Sequence, residues 1–385
     1  MKKIVKRLLI FMALCLVFVT VFALSSCSSD KKIDGVLYQL DFGGTYYILQ
    51  DGSECEVDNL VIPADIEGTP VKQIQSNAFY QNAKIKSVTI PAGVELVKTG
   101  AFYGCTALES VTLSNTAVLE NYTFKRCTAL KTINFPTDWT VDEEGFCIPE
   151  EAFYGCSALT ELTIDGDVSK IGYRAFGECG ITKLVLGEGV KEIGGGAFYS
   201  CAFLAEITLP ASLETLNMGM FEKCENLKKV NVTDLAAWCG VSYYNNNYSD
   251  GPFCYNADLY VDGEKIVDLV IPKEVEVISN YVFWGANIKT VTFEEGSTLK
   301  QVKDSAFRSC PNLESVDFPQ SLELIETENF RNCEKLEAVN LPLGNWKYEF
   351  MNSKYALKDK DNPTALAEWF RTQYSYYEEV FVEKN

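Results

Sequence analysis

The 385-residue chain contains no histidine. That single absence excludes Ser-His-Asp and Cys-His nucleophile pairs, His-Glu-x-x-His zinc proteases and most transition-metal sites. Positive charge is also scarce, with 34 Lys and Arg against 53 Asp and Glu and a formal net charge of −19. A surface of that sign repels phosphate backbones, so nucleic acid is not an expected partner. The acidic pairs Glu143-Glu144, Glu150-Glu151 and Glu294-Glu295 fall between apolar strand patterns, where solvated charge needs no further explanation. Gly194-Gly195-Gly196 lacks the strand-glycine-helix order of a dinucleotide loop, and Asp359-x-Asp361-Asn362 opens like a calcium loop but has Phe370 at the twelfth position. No catalytic residue, metal ligand or cofactor site is assigned.

A repeat fills the space that chemistry leaves. Phe recurs at 79, 102, 124, 153, 176, 198, 221, 283, 307 and 330, usually after Ala, with most steps of 22 to 24 residues, one of 29 and one long gap. Cys follows three residues later in eight of the ten units. One unit reads Ala306-Phe307-x-x-Cys310-x-x-Leu313-x-x-Val316-x-Phe318-Pro319-x-x-Leu322-x-x-Ile325. Its Leu-x-x-Val-x-Phe stretch ends with period two, the mark of a short strand with one buried face. A single unit cannot bury that face alone, whereas stacked units form one continuous core.

The pattern resembles the BspA-type leucine-rich repeat of bacterial surface proteins over about three quarters of the chain. Asn82 and Ala286 replace the repeat Cys, and Thr123, Met220, Val282 and Asn329 replace the Ala, without breaking the apolar columns. The resemblance implies a leucine-rich-repeat solenoid: a single curved sheet of short parallel strands with irregular or short helical returns, capped at both ends. It also implies surface interaction or adhesion.

Residues 1–26 carry Lys2, Lys3, Lys6 and Arg7 ahead of an apolar run from Leu8 to Leu24, the arrangement of a secretory signal. Leu24-Ser25-Ser26-Cys27 resembles a bacterial lipobox, in which Cys27 becomes the lipid-modified N-terminus. An uncleaved anchor is the alternative, since the run is nearly long enough to span a bilayer. Cleavage would leave 30 basic and 53 acidic residues, tethered by residues 27–35 to the outer leaflet of the bacterial membrane. Twelve cysteines beyond Cys27 would normally suggest disulfides in an exported chain. Eight of them (105, 127, 156, 179, 201, 224, 310, 333) share one repeat column, so parallel side chains in a core fit better than bonded pairs. Cys239 and Cys254 lie outside the column and could pair.

Residues 36–56 read as an N-terminal capping hairpin, 57–342 as the solenoid with an insert at 234–268, and 343–385 as a C-terminal cap containing a helix that starts at Asn362-Pro363. Two surfaces are candidate ligand sites. One is the aromatic loop holding Tyr243, Tyr244, Tyr248 and Tyr255, because Tyr couples a broad apolar face to a polar tip. The other is the outward strand face, represented by Thr112, Asn134, Thr163, Thr208, Asn231 and Thr292. The expected partner is an extracellular protein or glycan, with the membrane reached only through the lipid. A structural spacer without ligand and a carboxylate-dependent glycoside hydrolase or accessory protein are the competing readings.

Overall fold

The computed structural model describes residues 30–136, 146–165, 167–244, 251–344, 346–350, 353–357, 361–372 and 381–384. They wind into a β-solenoid in which each turn carries two short strands, so two parallel ladders run along the stack. The first ladder contains the Val-x-Leu strands, from Asn59–Val61 to Ala338–Asn340. The second contains shorter strands such as Leu96–Val97, Glu192–Ile193 and Leu324–Ile325, where the sequence had suggested irregular or short helical returns. Two residues are too few to show a period of two, which is why this ladder leaves no pattern of its own. The single expected sheet is therefore a pair, and each ladder is broken into segments.

The Phe column forms the spine between them. Phe79, Phe102, Phe124, Phe153, Phe176, Phe198 and Phe221 are fully buried and stacked at 4.8 to 5.7 Å with rings within 11° of parallel. Phe283, Phe307 and Phe330 continue it at 5.3 and 5.9 Å. On either side of each Phe, the residues two before and two after have positive φ in all ten units, for example Gly100 and Gly104, or Arg174 and Glu178. These left-handed residues turn alternate amides toward the next rung. The Gly100, Phe102 and Gly104 amides donate to the Asn121, Thr123 and Lys125 carbonyls at 2.8 to 3.0 Å. The turn side thus has a hydrogen-bond ladder of its own, which offsets the roughly 1 kcal/mol that each non-glycine left-handed residue costs.

The repeat cysteine completes the rung. Each column thiol lies 3.1 to 3.4 Å from the carbonyl of the preceding rung's Phe, as in Cys105 to Phe79 and Cys201 to Phe176. All eight are buried free thiols. Cys239 and Cys254, the possible bonded pair, are not joined by a disulfide. Asn82 takes the Cys role at the first rung, its side-chain amide donating to the Gly52 and Cys55 carbonyls at 3.3 and 2.9 Å.

Both ends are covered. Val36–Leu40 and Tyr47–Asp51 pair antiparallel, and the ring of Phe79 packs on Gly52, where an added Cβ would fall 1.9 Å from it. At the other end Asn362 caps the helix Pro363–Thr372 through the Ala365 amide, and Phe370 meets Phe330 edge-on at 5.3 Å. The described residues of the 234–268 insert build a further turn: Ser242–Tyr244 pairs with Thr215–Asn217, and Asp258–Val261 pairs with Lys229–Val232. Asp262-Gly263, both with positive φ, then folds Glu264–Ile266 back along Asp258–Val261.

Candidate binding surface

The outward residues of the first ladder occur in three groups because the ladder itself is interrupted. Thr112 and Asn134 stand opposite one another, the Asn134 amide 3.4 Å from the Thr112 hydroxyl. Thr163, Thr208 and Asn231 lie along the next sheet, with Val185 between the first two. Thr292 belongs to a third sheet, beside Val270. Thr112, Asn134 and Thr163 are exposed, whereas Thr208, Asn231 and Thr292 are half-buried. Asn231 is already engaged, its side-chain oxygen accepting from the Gly263 amide at 2.8 Å.

The aromatic group does not form one exposed patch. Tyr243 packs edge-on against Tyr281 at 5.9 Å, and its hydroxyl is buried without a hydrogen-bond partner among the described residues. Burial accordingly pushes its phenol pKa up. Tyr255 is half-buried and accepts from the Lys223 amide at 2.8 Å through its hydroxyl. Both rings fasten the turn to the solenoid, for the ordinary reason that large aromatics bury. Tyr244 points outward at 64% exposure. Tyr248 lies outside the described residues, as does Cys27.

Sequence reasoning missed an aromatic-cationic strip on the turn side. The Lys125 ammonium lies over the rings of Tyr122 and Tyr154 at 5.1 and 5.0 Å and pairs with Glu151. The Arg174 guanidinium lies over Tyr173 and Tyr199 at 5.2 and 4.9 Å, and Lys223 reaches the Tyr199 ring at 4.8 Å. Tyr80 and Tyr103 stack at 5.3 Å one step further along. The available signal was Tyr directly after the repeat Phe, at 80, 103, 154 and 199. Such cation-ring contacts are worth about 0.5–1 kcal/mol each where exposed, so they steady the turns as well as colouring the surface.

No cluster of Cys, Asp or Glu among the described residues could hold a metal ion. Nor is any helix among them long and apolar enough to cross a membrane. The geometry thus defines a leucine-rich-repeat solenoid whose surface is a row of repeated polar and aromatic positions. The BspA type leucine rich repeat region matches residues 53–147, 138–249 and 257–356, and the chain belongs to that family. The family points to a repeat-based binding or adhesion role.

Solved structures of bacterial repeat proteins are similar. A leucine-rich repeat protein from Bacteroides ovatus is 21% identical, covers 81% of this chain and 88% of its own, and has a TM-score of 0.42. A leucine rich cell surface protein from Faecalibacterium prausnitzii is 20% identical, covering 83% and 90%, with a TM-score of 0.36. The leucine rich repeat protein TpLRR of T. pallidum is 26% identical over 53% of this chain and 85% of its own, with a TM-score of 0.39. No curated protein sequence matches.

Proposed function

We propose that this protein is a lipid-anchored, non-enzymatic adhesion protein on the bacterial surface that holds an extracellular protein or glycan on its repeat face. The observation that carries the reading is the outward polar face itself: Thr112, Asn134 and Thr163 are exposed at equivalent points of successive strands, over a core that needs none of them. An extended platform of this kind binds through many modest contacts rather than one deep pocket. Tyr244 is the aromatic loop residue best placed to add to it. The test is a glycan and host-protein array read for retention and for product. Wild type is expected to retain ligand without turnover, and a combined Thr112→Ala, Asn134→Ala, Thr163→Ala, Tyr244→Ala variant that melts normally should lose at least tenfold in affinity. No retention anywhere would favour the spacer, and released product would favour the hydrolase.

The anchor half of the proposal rests on Leu24-Ser25-Ser26-Cys27. Cells expressing Cys27→Ala should release unacylated protein or accumulate precursor, while the wild type partitions into detergent with a diacylglyceryl mass on its N-terminal Cys. An unmodified Cys27 in mature wild-type protein would contradict it.

A further inference from the structure

Both strand ladders stop at the 29-residue step between Phe124 and Phe153. Among the described residues Thr132–Asn134 pairs only backward, with Ser110–Thr112, and Glu161–Ile164 pairs only forward, with Lys183–Leu186. The turn side does not open with them. Phe124 and Phe153 remain stacked at 5.4 Å, the Phe124 amide still donates to the Ala152 carbonyl at 2.8 Å, and the Ala158 amide still reaches Thr128. The rungs are closed at the spine and parted at the strands.

The parted strands border a cavity of about 660 Å³ lined by residues 131–134 and 158–163. At 3.3 Å per residue, with 4.8 Å between strands and about 10 Å between layers, that holds roughly four residues of extended chain. Its lining mixes polar residues with Ile133, Ala158, Leu159 and Leu162. Ile133 is half-buried there, whereas its counterparts Val88, Val111, Leu162, Leu184, Ile207 and Val230 are all buried.

The edges are complementary to one strand. In intact rungs the amide at the position of Lys131 donates backward, as Lys131 does to Glu109, and the amide at the position of Phe135 donates forward, as Leu113 does to Asn134. At the seam the Lys131 carbonyl and Phe135 amide on one side, and the Thr160 amide and Thr163 carbonyl on the other, have no such partner among the described residues. A parallel strand inserted between them would supply all four bonds. The other interruption of the ladder differs, because there the chain's own Glu264–Ile266 covers the edge of Asp258–Val261.

We propose that this seam is a docking site for an extended segment of a partner protein, added as a parallel strand. The register gives its chemistry. The residue falling between Ile133 and Leu162 faces the core and should be Val or Ile. The residue before it lies beside the exposed carboxylate of Glu161, which stands opposite Lys183 but makes no ion pair among the described residues, while Lys131 is taken by Glu109. A basic side chain fits there, and the acidic surface of the chain favours its approach. The residue after the apolar one lies between Asn134 and Thr163 and should be Ser or Thr. The inferred motif is Lys/Arg-Val/Ile-Ser/Thr, read by backbone pairing. This inference rests on the binding reading above and names a partner class and a site for it.

The probe is a capped heptapeptide, Ser-Thr-Lys-Val-Thr-Val-Ser, added to the folded chain up to millimolar concentration with amide hydrogen exchange as the readout. The Phe135 and Thr160 amides should exchange freely without peptide and at least tenfold more slowly at saturation. N-methylation of the residue before Lys should weaken binding at least tenfold. Replacing Lys by Glu in the peptide, or Glu161→Lys in the protein, should each weaken it about threefold, the worth of an exposed ion pair, and the two changes together should restore it. Absent binding, binding indifferent to N-methylation, or seam amides already protected in the free protein by the chain itself or a second copy would each overturn the proposal. Array binding that persists while the seam stays silent would overturn the seam and leave the adhesion reading standing.

Discussion

Phe198→Ala should destabilise the protein by about 3–5 kcal/mol. Phe198 is fully buried in mid-column, stacked on Phe176 at 5.7 Å and on Phe221 at 5.6 Å, and its carbonyl is the acceptor for the Cys224 thiol. Truncation removes both ring contacts and opens a void that the neighbouring turns cannot fill, because their backbones are tied rung to rung on either side. The Phe198 amide is bonded forward to Met220, and the Ala197 carbonyl receives Phe176. Thr208→Ala, one strand away but on the outward face, should change stability by no more than about 0.5 kcal/mol. Chemical denaturation of the two variants checks this. Equal losses at both sites would mean that the Phe column is not the core.

Raising the pH should unfold the protein cooperatively, by ionising thiols that its core can accept only as protonated groups. Burial pushes the Cys156 thiol up to about 12 and raises Cys127, Cys179, Cys201, Cys224 and Cys310 as well. In the unfolded chain the same thiols ionise near 8.5. Because the folded pKa lies above the unfolded one, the stability held by each thiol is complete below about pH 8.5 and is lost as pH rises toward the folded value. One thiol contributes a slope of up to about 1.4 kcal/mol per pH unit, and six together about 8. Against a typical total of 5–15 kcal/mol, that exhausts the fold within roughly two pH units above 9. A thiolate in the column would also face the Phe carbonyl of the preceding rung with no proton to offer it.

The reading from sequence reached the first ladder and the Phe and Cys columns, because each depends on a residue type that only one environment explains. It did not reach the left-handed positions. Glycine marks Gly100, Gly104 and Gly155, but Tyr122, Arg126, Glu178, Ser200 and Lys223 adopt the same conformation. Their strain is held by the inter-rung amide bonds, which no residue type announces. The seam was hidden for a related reason. Ile133 reads like every other column residue, and what distinguishes it is that its strand, paired backward with Ser110–Thr112, has no forward partner among the described residues. On the candidate surface, sequence marked Tyr243 and Tyr255 as aromatic and loop-borne, whereas burial against Tyr281 and the bond to Lys223 depend on contacts from rungs 32 to 38 residues away.

The stacked column is the central claim, and its most direct test is stability against pH for wild type and Cys201→Ala, measured by denaturant titration from pH 7 to 10.5. The wild type should be level to about pH 8.5 and then fall with a slope approaching about 8 kcal/mol per unit, while the variant, less stable at neutral pH, should fall less steeply by about 1.4. A wild-type curve that stays level to pH 10.5, or a variant with an unchanged slope, would contradict a core built on buried, protonated cysteines.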